Sequence, residues 1–223
     1  MTATPQSIDS NYQRDWPAYF DAVHDKPPRE TLLKALDFFD AETPGDSRLN
    51  RTACDLACGE GRDTRELLRR GWRSIAVDSS PLGLSYTMNS LANSRRSDVT
   101  PLTLRLEDVP TVLSHVAGLD LVNASFALPF CDPGHFASVW QWIVKSLRPG
   151  GRFAGQLFGD RDDWASVRPA SHHTRAAVEA LLAPFTIEHF EEADKPGGDA
   201  LGGIKHHHIF HIVARRNDGP PKT

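Results

Sequence analysis

The chain has 223 residues, with 25 Lys and Arg against 29 Asp and Glu, a formal charge of −4 and 39% apolar residues. That length suits one large α/β domain with a sizeable core. A mildly acidic balance without a basic stripe argues against a nucleic-acid duplex as partner, because backbone phosphates demand clustered Lys and Arg. No apolar run approaches a membrane span and the stretch from Met1 to Asp15 is polar rather than signal-like, so no membrane partner is expected and the cytoplasm is the expected compartment. Cys54, Cys58 and Cys131 are an odd number with no paired cluster, which favours reduced thiols over disulfides or zinc ligands.

In chain order, an aromatic block from Asn11 to Phe20 contains Arg14, Trp16 and Tyr19 and is followed by a helix that starts at Pro28 and carries Leu32, Leu33, Leu36 and Phe39 on one stripe. Thr52 to Ala57 then reads as a strand, Gly59-Glu-Gly61 as a turn, the segment through Leu67 and Leu68 as a helix, and Ser74 to Asp78 as a second strand. Ser80-Pro81 opens a helix toward Leu91. Leu102 to Leu106 alternates as a third strand, and Leu119 to Ser125 forms a buried fourth. Asp132-Pro133 caps a helix with Phe136, Val139, Trp140, Ile143 and Leu147 on one face. A fifth strand, Arg152 to Phe158, follows a Pro149-Gly150-Gly151 turn. A short helix from Thr174 to Leu182 leads to two closing strands, Thr186 to Glu192 and His206 to Arg215. Strands alternating with helices predict a doubly wound, mostly parallel seven-stranded sheet, and two final strands without a helix between them predict an antiparallel hairpin at one end.

The region from Thr52 to Asp78 carries the chemistry. Gly59 and Gly61 remove Cβ atoms where the chain turns sharply and a ligand approaches the backbone. Asp78 ends the second strand, where a carboxylate can accept hydrogen bonds from both hydroxyls of a ribose. A dinucleotide fold needs a third glycine where this chain has Thr64, and Asp55 places a negative charge under the turn that repels a pyrophosphate and suits a cation. The segment Asp55-Leu-Ala-Cys-Gly-Glu-Gly-Arg-Asp-Thr64 resembles motif I of the class I S-adenosylmethionine-dependent methyltransferases, and within them the small-molecule branch that includes the tellurite-resistance and thiopurine-type enzymes. The resemblance spans about Thr52 to Arg215.

It implies S-adenosylmethionine as cofactor, methyl transfer to a small-molecule nucleophile, and a cofactor set of Asp55, Ala57, Gly59, Gly61, Thr64, Asp78 and Ser79. An acid after strand three is expected at the adenine amino group, Asp108 by position with Glu107 in reserve. Asn123 and Ala124 are placed where strand four reaches the sulfonium, and Asn123 is also a candidate to support the incoming nucleophile. Arg14, Trp16 and Tyr19 are expected in a lid over the cofactor, because aromatic faces attract a sulfonium and a guanidinium pairs with a carboxylate. The implied organisation is a helical lid segment over residues 1–45, a cofactor-binding domain over 46–216 and a disordered tail over 217–223. Among Lys205-His206-His207-His208, strand alternation sends His206 and His208 to one face and His207 to the other; His206 is the candidate catalytic residue, and no metal is expected since adjacent strand positions cannot converge on one ion.

Strand four lacks the Asn-Pro-Pro-aromatic or Asp-Pro-Pro-aromatic sequence that cradles nucleic-acid bases, so a nucleic acid is not expected as substrate. Two alternatives stay open, another S-adenosylmethionine-consuming reaction such as internal cyclisation or aminocarboxypropyl transfer, and an NAD(P)-dependent oxidoreductase. Oligomeric state is not legible.

Overall fold

Apolar strands separated by amphipathic helices build a sheet covered on both faces. A computed structural model describes residues 16–23, 26–42, 51–166, 170–198 and 203–218. Its helices are α1 (Trp16–Val23), α2 (Glu30–Glu42), α3 (Arg62–Arg69), α4 (Pro81–Asn89), α5 (Val109–Val112), α6 (Pro133–Ser146) and α7 (Arg175–Leu181). Its strands are β1 (Thr52–Leu56), β2 (Arg73–Asp78), β3 (Val99–Thr103), β4 (Leu119–Ala124), β5 (Leu147–Gly159), β6 (His172–His173), β7 (Phe185–Gly198) and β8 (Ile204–Arg216).

The sheet runs β3-β2-β1-β4-β5-β8-β7, and the two-residue β6 pairs with the end of β5, which makes eight strands rather than seven. The first five strands are parallel, while β8 runs antiparallel to both β5 and β7. This is the doubly wound arrangement with a closing hairpin that the strand pattern predicts. Helix α2 buries Leu32, Leu36 and Phe39 against Trp72, Leu121 and Val213 on one face. Helix α6 buries Val139, Trp140 and Ile143 with Phe153 and Phe210 on the other.

Local signals act as their chemistry dictates. Ser80 caps α4 by accepting from Gly83 N, Asp132 caps α6 through Gly134 N, and Thr174 caps α7 through Ala177 N. Two elements differ from the sequence pattern. Strand β3 begins at Val99 and contains Pro101, which an edge strand tolerates because its outer side needs no N–H donor. The last two strands are longer than their apolar cores, so that Ile204–His208 and Asp194–Gly198 pair with each other past Phe158, the last residue of β5 that β8 meets. This extension raises a wall at the carboxyl edge of the sheet. Among the described residues no helix is long and apolar enough to cross a membrane.

Candidate functional site

The turn after β1 contains three residues in left-handed backbone conformation, Ala57 (φ 54°), Gly59 (φ 57°) and Gly61 (φ 85°). The two glycines serve different ends. A Cβ at Gly59 would come within 3.4 Å of the Phe20 ring, which α1 lays over the turn. At Gly61 a Cβ would fall 2.5 Å from Thr87 Oγ1, so this glycine lets α4 pack on the turn rather than admitting a ligand, a correction to its expected binding role. Asp78 joins the first two turns: Gly59 N donates to Oδ2 at 2.8 Å and Ser80 N to Oδ1 at 2.7 Å. Burial pushes this carboxyl above its ordinary range, and the two backbone donors oppose the shift. It is 8% exposed and lines the cavity described below, with lone pairs left for further donors.

Asp55 lies beneath the turn, sealed from the cavity. Its Oδ2 accepts from Thr64 Oγ1 at 2.6 Å and its Oδ1 from Asn123 Nδ2 at 2.8 Å. Asn123 Nδ2 also donates to Asp63 Oδ2 at 3.0 Å, and Asp63 Oδ1 accepts from Arg29 N at 2.8 Å, at the start of α2. Burial, then the neighbouring Asp63, pushes the Asp55 carboxyl up to about 7 against the hydrogen bonds from Thr64 and Asn123. Direct contact with a ligand, expected of Asp55, Thr64, Asn123 and Ala124, does not fit this geometry. The first three are consumed by one another, Ala124 is core, and all four are essentially unexposed. They form the support on which the turn and α2 are seated.

Above the support a cavity of about 1040 Å³ opens along the carboxyl ends of β1 to β5. That is at the upper limit of the range for small-molecule sites, and residues of both the glycine turn and the hairpin line it. At one end stand Tyr19, Phe20, Arg29, Gly59, Asp78 and Ser79. Burial lowers the Arg29 guanidinium below its ordinary value, with Arg62 adding to the shift, and among the described residues no carboxylate forms an ion pair with it. Glu107, with Ala57, also lines the cavity, whereas Asp108 is exposed and off it, so the reserve acid after strand three takes the place expected of Asp108. Burial pushes the Glu107 carboxyl up, but backbone donors, Asp132 N among them, and Arg105 outweigh it and hold it low.

Phe126 marks the middle of the cavity. This non-glycine residue has φ 54°, an uncommon conformation costing about 1–3 kcal/mol that is held by Phe126 N donating to Gln156 Oε1 at 2.8 Å. Gln156 Nε2 in turn donates to Thr31 Oγ1 on α2. The ring carries the Arg29 guanidinium 4.5 Å above its centre and meets Phe158 and His211 edge-on. Beyond it, the extended hairpin presents Lys195, Lys205, His207 and His211 to the cavity.

The register of this wall corrects the histidine expectation. His206 and His208 face away from the cavity, where His206 Nε2 pairs with Asp194 at 2.6 Å and His208 Nε2 with Glu192 at 2.9 Å. His207 is the member on the cavity side, and its Nε2, shut off from water, has no hydrogen-bond partner among the described residues. Burial lowers the basicity of His211. Among the described residues no group of three His, Cys, Asp or Glu side chains is arranged to hold a metal ion. Arg14 and the side chain of Trp16 lie outside the described residues. Sequence reasoning missed Arg29, Phe126 and the cavity-facing row of β8; for that row the signal was the alternation Lys205, His207, Ile209, His211 opposite the core residues Phe210 and Ile212.

Residues 53–151 match the methyltransferase domain family model. Over 103 residues the chain is 31% identical to a probable cobalt-precorrin-6B C(15)-methyltransferase (decarboxylating) of Methanothermobacter thermautotrophicus, covering 46% of this chain and 50% of that protein. The chain thus spans about half the length, or less, of the curated relatives it matches. Among solved structures it resembles TehB from Haemophilus influenzae, with a TM-score of 0.69 at 10% identity over 92% of this chain and 68% of that one. It also resembles the 1,6-didemethyltoxoflavin-N1-methyltransferase of Burkholderia thailandensis, solved with 1,6-didemethyltoxoflavin and S-adenosylhomocysteine, at a TM-score of 0.60 and 20% identity over 92% and 86% of the two chains.

Proposed function

We propose that this chain, which belongs to the class I S-adenosylmethionine-dependent methyltransferases, methylates a small-molecule nucleophile in the cavity between its glycine turn and its hairpin. The observation that carries the reading is the Asp78 carboxyl, fixed by Gly59 N and Ser80 N at one end of a cavity with room for a second ligand.

The residues present fit the cofactor. Asp78 would accept from the ribose hydroxyls, Glu107 would face the adenine amino group, and Arg29 would pair with the amino-acid carboxylate in the place expected of Arg14. Tyr19 and Phe20 lie over the same end, consistent with residues 1–45 acting as a lid on a cofactor-binding domain of residues 46–216. When bound, S-adenosylmethionine supplies an electrophilic methyl carbon and a neutral thioether as leaving group.

This chain's own work is positioning and exclusion of water. The support of Asp55, Thr64, Asn123 and Asp63 seats Arg29 and the turn, so the cofactor end is held before any ligand arrives. Phe126 separates the two ends, and the aromatic and hairpin walls desolvate the acceptor. His207 is the hairpin histidine on the cavity side, and we assign it the acceptor's proton at Nδ1, since its Nε2 is closed off. A cavity walled in by the hairpin suits a small acceptor rather than a nucleic acid, and we place the reaction in the cytoplasm.

Calorimetry with S-adenosylhomocysteine, NAD and NADP tests the reading. Binding of S-adenosylhomocysteine without competition from either nucleotide is the expected outcome. Tight NADP binding with no response to S-adenosylhomocysteine would overturn it. Mass spectrometry of products from a metabolite library then separates methyl transfer, which adds one methyl group to an acceptor, from cyclisation or aminocarboxypropyl transfer.

A further inference from the structure

The far end of the cavity has a chemical character that the cofactor does not explain. Four rings form a continuous cluster there, with centroids 6.4 Å apart for Phe126 and Phe158, 6.1 Å for Phe130 and Phe158, 5.9 Å for Phe158 and Trp164, and 6.2 Å for Phe130 and Trp164. Into this apolar surround the hairpin inserts the ammonium of Lys205, 4.1 Å from the centre of the Trp164 ring and 5.4 Å from that of Phe158.

Lys205 is held in place from behind. Its Nζ donates to Asp162 Oδ1, and the Asp162 side chain is completely buried. The same carboxylate accepts from Trp164 N at 3.0 Å and His208 N at 3.2 Å, so it ties the loop after β5 to β8 and fixes the lysine between them. A second Lys205 contact, to His206 O, is long at 3.4 Å. An ammonium has three N–H donors, so donor capacity remains on the cavity that Lys205 lines.

The charge of the surroundings points the same way. The hairpin wall carries Lys195, Lys205, His207 and His211, with Glu191 as its acid. Elsewhere around the cavity the acids are already engaged, Asp78 by two backbone donors, Glu107 by Arg105 and Asp132 N, and Asp132 by Gly134 N and His135. An aromatic cation would meet Lys205 as a like charge in an apolar setting, and a neutral hydrocarbon would cover the remaining ammonium donor without offering it an acceptor, leaving Asp162 and the rings as its partners.

We propose that the acceptor is a flat aromatic or heteroaromatic acid whose ring lies against the Phe126, Phe130, Phe158 and Trp164 cluster and whose anionic oxygen pairs with Lys205. This assignment rests on the methyl-transfer reading above and narrows it. The cluster supplies the apolar area and edge-to-face contacts for a planar ring. Lys205 supplies a charge-assisted hydrogen bond that sets how deep the ring enters, and hence which atom of the acceptor faces the cofactor end.

Four probes of similar size separate the possibilities: naphthoate, naphthalenemethanol, naphthylmethylamine and the saturated decahydronaphthalenecarboxylate, titrated calorimetrically into the whole protein with and without S-adenosylhomocysteine. Naphthoate is expected to bind about 10–100-fold tighter than either the neutral or the cationic ring, and tighter than the non-aromatic acid. Lys205→Met should abolish the preference for the acid while S-adenosylhomocysteine affinity is kept. Because that variant strands a buried carboxylate, the double variant Lys205→Met with Asp162→Asn repeats the measurement with the charge removed, and the same loss is expected. Equal or tighter binding of the amine or the alcohol, a preference that survives both variants, or no binding of any probe overturns the assignment. Failure of S-adenosylhomocysteine to bind would instead strike the methyl-transfer reading, and the ligand-free titrations still read the preference of the aromatic end.

Discussion

The two ends of the cavity are built on opposite plans. At the glycine-turn end the supporting polar groups are satisfied before any ligand arrives: Asp55, Asp63, Thr64 and Asn123 bond to one another, and Asp78, though it keeps lone pairs for the cavity, is fastened by two backbone donors. At the hairpin end the satisfied polar groups lie on the outer face of β8, where His206, His208, Asp194, Glu192 and Arg161 form a network, and the inner face offers polar groups to the cavity. One end is a preformed holder, and the other is completed by what it binds. A fold that keeps one cofactor while changing acceptors needs this division, because the acceptor wall can vary without disturbing the support of the turn.

The sharpest way to break the comparison is to exchange inner and outer histidines. His207→Asn should lower turnover by about 10²–10⁴-fold with S-adenosylhomocysteine affinity unchanged, the size of effect typical of losing a positioned proton acceptor. His206→Asn, which touches only the outer network, should leave turnover intact. Steady-state kinetics on the two variants, alongside calorimetry, decides this. Equal activity in both would return His207 to strand packing.

How much of each end could be read in the sequence follows the same division. The turn was legible because its parts lie within a short span and each residue type has a local reason: Gly59 for a left-handed turn, Asp78 for the end of β2, Ser80 for a helix cap. What pattern reading missed there concerns packing between distant residues, such as Thr87 against Gly61 and Asn123 against Asp55. The hairpin end was less legible. Asp194-Lys-Pro-Gly-Gly198 has the composition of a loop yet continues β7, and the face on which β8 places His207 is set by register against β5, which alternation alone leaves open. Arg29 carries no local signal, since its role comes from Asp63 binding its backbone and Phe126 meeting its side chain.

The buried support can be tested through pH. The Asp55 carboxyl has its pKa raised to about 7 in the folded chain, above the value near 4 of an exposed aspartate, so between these limits the folded state binds the extra proton. Its contribution to stability is therefore fully present below the unfolded value and is lost as pH rises through about 7. Asp55→Asn keeps an amide in contact with Thr64 and Asn123 and removes the ionisation. Urea unfolding at pH 4.5 and pH 7.5 should show the stability difference between variant and wild type shifting by roughly 2–4 kcal/mol in favour of the variant at the higher pH. A difference that does not change with pH would place the proton elsewhere.

Two glycines with the same backbone angle sharpen the structural half of the comparison. Gly61 and Gly71 both have φ 85°, but a Cβ at Gly61 collides with Thr87 while one at Gly71 meets nothing within 4 Å. Gly71→Ala should cost only the left-handed conformation, about 1 kcal/mol. Gly61→Ala should add overpacking and reach about 2–4 kcal/mol. Denaturation midpoints measured at constant m-value compare them directly, and equal losses would mean that α4 moves freely to make room.

Asp78 connects the preformed holder to its ligand, so its replacement should weaken binding more than it disturbs the fold. Asp78→Ala removes the acceptor for Gly59 N and Ser80 N together with the proposed acceptor for two ribose hydroxyls. The expected loss in S-adenosylhomocysteine affinity is roughly 1.5–3 kcal/mol, as for hydrogen bonds to a charged group. Asp78→Asn separates the two functions. Its amide oxygen can still accept one backbone donor, which retains part of the turn, but it presents less acceptor capacity and no charge to a diol. Affinity in the Asn variant should therefore fall nearly as far as in the Ala variant while thermal stability stays closer to wild type. Calorimetry and thermal unfolding on both variants measure the two quantities, and wild-type affinity in the Asn variant would show that Asp78 holds the turn without touching the cofactor.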